Sequence, residues 1–141
     1  MLFRSLRDKG IQLPQLGICI SAPTDLTPDN PAHGQLDAIL HPRSVDRFSL
    51  SYVGGEDARN PLISPLFADL HGLPPLILYA GGEEALSMDS KRFAKAATAA
   101  GVEVSLRVYP RMWHVWQLTP DLPQARQSLD EIAEAVKLTC E

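Results

Sequence analysis

LPPLILYAGGEEAL, residues 73–86, and AAGVEVSLRVYPRMWHVW, residues 99–116, carry the architecture of this chain between them. Leu76 to Tyr79 is an unbroken apolar run behind two prolines, the pattern of a strand covered on both faces inside a parallel sheet. Asp89 or Ser90 can cap a helix that runs through Ala100, packed by Phe93, Ala96, Ala97 and Ala100 and ended by Gly101. Val102, Val104, Leu106 and Val108 then alternate with Glu103, Ser105, Arg107 and Tyr109, which predicts an edge-like strand with one protected face. Past it, Leu122, Ala125, Leu129, Ile132 and Val136 recur at helical spacing and predict an amphipathic C-terminal helix.

Towards the N-terminus, LGICISAPTDL (16–26) centres on the apolar run Leu16 to Ile20 and stops at Pro23, a buried strand followed by a loop. Leu2 to Lys9 reads as a short helix ended by Gly10. Between the strands, residues 24–72 lose strong periodicity and gain proline, glycine, asparagine and aspartate. So long a connection must contain short helices or shape a site: 36–40 and 45–52 are helical candidates, GGEDARNP (54–61) reads as a turn and SPLFADL (64–70) as another short helical piece. Strand, irregular excursion, strand, helix, strand, helix is the order of a three-layer α/β arrangement.

The composition bounds the function. Across 141 residues, 45% are hydrophobic and 21% charged, ordinary for a globular domain. A net charge of −4 argues against nonspecific attraction to nucleic acid or an anionic membrane. The apolar runs are shorter than a membrane span, and the first ten residues lack a signal-like apolar core. Cys19 and Cys140, far apart in sequence, make neither a disulfide framework nor a metal motif, so a cytoplasmic location is the default expectation.

Two strand ends carry the candidate chemistry. PRMWHVW (110–116) sets His114 just after the last strand, and GGEEAL (81–86) follows the preceding one, so parallel neighbours would bring Glu83 or Glu84 towards His114. A carboxylate there can fix the histidine tautomer and stabilise an imidazolium during general-base catalysis. The plain alternatives are a packing histidine and a solvated carboxylate. Trp113 and Trp116 can line an apolar pocket or equally anchor the core. His33, His41 and His71 have no metal-ligand spacing, and the glycine pairs match no phosphate loop.

SAPTDL (21–26), YVGGEDARNPLISPLFADLHGLPPLILYAGGEEAL (52–86) and AAGVEVSLRVYPRMWHVWQ (99–117), taken together, resemble the C-terminal half of α/β-hydrolases of the hormone-sensitive-lipase type, which are serine esterases and lipases. The resemblance implies a single partial α/β-hydrolase domain over residues 1–141, a truncated fold of about three mainly parallel strands with flanking helices. It implies neither cofactor nor metal. His114 matches the family histidine. Glu84 best matches the family acid, with Glu in place of the commoner Asp and Ala85 in place of Pro; Glu83 is its close competitor.

The family's G-x-S-x-G nucleophile elbow occurs nowhere in the 141 residues, nor does an HGGG-type oxyanion loop. Ser21 ends a strand and Ser64 lies in a loop, and neither has the sharp strand-to-helix setting of a nucleophile. The expectation is a chain that supplies acid and histidine to a serine triad, has little activity alone, and turns over an ester-type small molecule when complemented by the missing half. The alternative is a noncatalytic interaction or assembly module derived from a hydrolase. An apolar first strand left at a sheet edge also predicts a homodimer through residues 16–20.

Overall fold

The computed structural model describes residues 2–32 and 35–140, so His33 lies outside the described residues. Three parallel strands, β1 (Gly17–Ile20), β2 (Leu76–Gly81) and β3 (Val104–Tyr109), form a sheet in sequence order with β2 in the centre. Four helices accompany them: α1 (Leu2–Asp8), α2 (Pro42–Val53), α3 (Ser87–Ala99) and α4 (Pro123–Cys140). The result is the expected three-layer α/β arrangement, consistent with a truncated α/β-hydrolase fold.

The apolar run of β2 is buried because both its faces are covered. Leu76 and Leu78 point into a core with Phe93, Ala94 and Ala97 of α3, while Tyr79 faces the other way into a cluster with Met112, Trp116 and Ala125. Period-two side chains thus feed two cores from one strand. Register pairs Gly17 to Ile20 with Leu76 to Tyr79, and Leu76 to Gly81 with Val104 to Tyr109, so all three strands end at the same side of the sheet.

Several expectations need correction. Residues 36–40 form no helix: Asp37 Oδ1 instead accepts the backbone N–H groups of Ile39 and Leu40, a local bond that competes with helical pairing. The second helical candidate is α2, which starts earlier than expected, with Pro42 in its first turn and His41 Nδ1 accepting the Arg43 N–H. α3 starts at Ser87, without a side-chain cap, because Asp89 turns away to serve the loop after β1.

The alternation in β3 breaks at its end. Val108 is exposed, while Tyr109 packs on Trp116 with ring centroids 5.1 Å apart. In α4 most of the predicted stripe faces the core: Ala125 is fully buried and Leu122 and Ile132 pack against the same cluster, whereas Leu129 and Val136 are 43% and 44% exposed and Ser128, outside the stripe, is fully buried. No helix among the described residues is long and apolar enough to cross a membrane.

Candidate active site

Glu84 and His114 arrive together because β2 and β3 are adjacent, parallel and end in register at Gly81 and Tyr109. The two loops that follow are in backbone contact. Gly82 N–H donates to Tyr109 O at 2.8 Å and Glu83 N–H to Met112 O at 3.0 Å. Gly81 makes this approach possible: a Cβ there would lie 2.3 Å from Met112 O and 2.7 Å from Trp113 O.

Glu84 points inward, 5% exposed, and its Oε2 lies 3.8 Å from His114 Nδ1. That is ion-pair range but longer than a hydrogen bond, and His114 Nδ1 and Glu84 Oε1 have no hydrogen-bond partner among the described residues. The partner that Glu84 does have is Ser21, whose hydroxyl donates to Oε2 at 2.5 Å. Glu83 is exposed, beside a surface groove lined by Asp37, Arg111 and Trp113. Trp116 is fully buried in the core, so the pocket role offered for it gives way to packing. His41 and His71 stand in exposed turns, His71 bonded to Asp69.

Burial dominates the electrostatics. It pushes Glu84 up to about 7, against the opposing bonds from the Ser21 hydroxyl and the Gly81 backbone, with Asp37 and Asp89 adding to the rise. It also pushes the His114 imidazole below its ordinary value, with Asp37 pulling weakly the other way. At neutral pH the histidine is therefore an uncharged base beside a carboxyl that is close to its titration midpoint. A proton accepted by His114 would make the 3.8 Å contact attractive, which is the charge relationship a general base and its acid require.

The linkage has a definite sign. A carboxyl that ionises at 4.5 in the unfolded chain and at about 7 in the folded one binds more protons when folded, so its contribution to stability is lost as pH rises through that window. Glu84→Gln is expected to flatten the decline in urea stability between pH 5 and pH 8, with a gain over wild type at pH 8 of at most about 3 kcal/mol. His114 has the opposite slope below its ordinary value and adds nothing above it, so the wild-type minus variant difference isolates Glu84. Equal slopes in the two proteins would exclude a buried, ionisable Glu84.

Polar groups to which the sequence reading gave other roles, or none, hold the site. Asp37 Oδ2 accepts the Ala85 N–H at 2.9 Å and fixes the acid loop from the excursion. Asp89, fully buried, accepts the N–H groups of Thr24 and Asp25 at 2.7 and 3.1 Å, and Asp25 pairs with Arg92 at 2.7 Å. Ser64, also fully buried, accepts the Leu26 N–H, a structural role. Ile20, Ser21, Leu40, Val45, Phe48 and His114 contribute to a mostly apolar cavity of about 460 Å³ between the strand ends and α2.

Parallel strands thus carry a buried acid and a histidine on adjacent loops at their carboxyl ends. The chain belongs to the α/β-hydrolase fold family, whose sequence pattern matches residues 1–118. Within that family it resembles the bacterial hormone-sensitive-lipase group. An acetyl-hydrolase of Streptomyces hygroscopicus is 37% identical over 131 residues, 90% of this chain and 44% of that protein. A hormone-sensitive lipase from a metagenome library superposes with a TM-score of 0.92 at 37% identity, covering 97% of this chain and 48% of that one. An esterase of the bacterial hormone-sensitive lipase family gives a TM-score of 0.92 at 35% identity, over 99% and 48%. The chain thus spans about half the length of these relatives.

Proposed function

We propose that this chain is the acid-and-histidine part, the C-terminal half, of a carboxylic-ester hydrolase whose nucleophilic serine lies in sequence outside these 141 residues. The observation that carries this reading is the buried Glu84 carboxylate 3.8 Å from His114 Nδ1, on loops following adjacent parallel strands. In the complete site His114 takes the serine proton, the serine oxygen attacks the ester carbonyl, and the imidazolium returns the proton to the departing alcohol. Water then attacks the acyl-enzyme through the same base, and Glu84 balances the positive charge in both steps. The mostly apolar cavity beside His114 suits an acyl or alcohol group of a small ester.

The test joins the chain to the G-x-S-x-G half of a full-length relative and measures hydrolysis of short-chain p-nitrophenyl esters. Turnover is expected from the joined enzyme and not from either half alone. Robust turnover by the 141-residue chain alone would overturn the reading, as would a joined, folded enzyme that is inert.

The assembly of the isolated chain belongs to the same reading. The Gly17 N–H at the start of β1 bonds to Pro75 O, just before β2, and the Ser21 N–H just after β1 bonds to Tyr79 O, so period two turns the N–H groups of Ile18 and Ile20 to the opposite edge of the sheet. We infer that two copies pair along this edge when the other half is absent. Light scattering should find a dimer for the chain, a monomer for a folded Ile18→Pro variant, which removes an outward donor along with the Ile18 packing on the core, and displacement of the second copy by the complementing half. A wild-type chain that stays monomeric at all concentrations contradicts this.

A further inference from the structure

We propose that Ser21 is a positioning residue, a buried hydroxyl that ties the Glu84 carboxylate to the backbone of the histidine loop. The proposal rests on the acid-and-histidine reading above, and it assigns to a third residue the task of keeping that pair in register.

The hydroxyl is fully used. Its proton goes to Glu84 Oε2 at 2.5 Å, and its oxygen accepts the Val115 N–H at 3.1 Å, immediately after His114. Ser21 is itself anchored, because its backbone N–H donates to Tyr79 O at 2.9 Å at the end of β2. Three strand-end segments, from β1, β2 and β3, therefore meet on one side chain that is 2% exposed. A nucleophile would need a free oxygen facing substrate; this one is bound on both sides.

The backbone supports the assignment. Ser21 has φ of 47° and Val115 has φ of 48°, two non-glycine residues in the left-handed region, joined to each other by the Val115 N–H bond. Such conformations cost on the order of 1 kcal/mol or more each and persist where surrounding contacts over-determine them. At Ser21 the over-determining contacts are these hydrogen bonds.

The chemical consequence follows from which form of the acid the bond favours. A hydroxyl donating to a carboxylate stabilises the charged form and opposes burial. The oxygen it holds is also the one facing His114 Nδ1, so the bond both orients Glu84 and keeps available the anion that would balance an imidazolium. No other described side chain donates a hydrogen bond to Glu84.

The experiment follows Glu84 by carboxyl-carbon NMR in the 141-residue chain, with Glu84→Gln to assign its signal, in wild type, Ser21→Ala and Ser21→Gly. Both variants are expected to raise the Glu84 titration midpoint by about half to one pH unit or more, and to shift the His114 ring resonances. Ser21→Gly removes the hydroxyl while easing the positive φ, so it should fold at least as stably as Ser21→Ala yet show the same Glu84 shift. A Glu84 midpoint within about 0.2 of wild type in both variants would overturn the proposal, as would a shift in the alanine variant alone. Failure of the wider functional reading is distinguishable: it appears as an inert joined enzyme, whatever the titration shows.

Discussion

In the joined enzyme, His114→Ala is expected to lower kcat/KM for a short-chain p-nitrophenyl ester by about 10⁴-fold or more. Among the described residues the neutral imidazole is the base beside Glu84, whose other charged neighbours, Asp37 and Asp89, are carboxyls. Without it the serine hydroxyl must lose its proton to water in acylation, and the water that attacks the acyl-enzyme has no base in deacylation. Glu84→Gln preserves volume but cannot balance an imidazolium, and is expected to cost about 10³-fold. Glu83→Gln, altered on the exposed side of the loop, should remain within about threefold of wild type. Steady-state kinetics on the three variants checks the ranking, and a Glu83 effect larger than the Glu84 effect would transfer the acid role.

Gly81→Ala is expected to be the most damaging single-methyl change in the chain, with a loss on the order of 3 kcal/mol or more in urea unfolding. The atoms that a Cβ would meet are Met112 O, Trp113 O and Met112 C at 2.3, 2.7 and 2.8 Å, all backbone, so no side chain can swing aside to accommodate it. The variant must push the loop bearing His114 off the end of β2, and Glu83 N–H would lose its acceptor on Met112. Gly101→Ala is the control: its φ of 79° strains any L-residue, but no atom lies within 4 Å, so about 1 kcal/mol is expected. Equal losses in the two variants would mean that close packing at Gly81 contributes nothing beyond ordinary glycine replacement.

The parts of this architecture that were legible in the sequence are those fixed by local chemistry. Leu76 to Tyr79 read as a doubly covered strand because four consecutive apolar residues have no wet face to offer, and β2 is central. The approach of Glu84 to His114 was legible from their strand-end placement and from the family resemblance, both properties of short segments. What remained hidden depends on residues far apart in the chain. Ser21 meets Glu84 across 63 positions and Asp89 meets Thr24 across 65, and nothing near any of the four announces the pairing. Asp89 was read as a helix cap because a carboxylate at a helix start has that local use; burial against the loop after β1 offered it two backbone donors instead. Likewise the stripe in α4 marks Leu122, Ala125 and Ile132 on the core side but gives no sign that Ser128 is buried or that Leu129 and Val136 are half exposed. The fully buried positions, Ala125 and Ser128, belong to small residues that let the helix lie close.

α2 stands apart from the rest: it lies within the long connection between β1 and β2, and of its described side chains only Ser49 is buried. Val45 and Phe48 nonetheless form one wall of the cavity whose opposite wall carries Ser21 and His114. The two walls are consequently free to evolve at different rates. Under the proposed function, substitutions at Val45 and Phe48 would reshape the room beside His114 without touching the hydrogen bonds of Ser21 or the Asp37 bond that holds the acid loop. If the proposed function holds, descendants of such a chain would diversify in what they accept while inheriting the same acid and histidine.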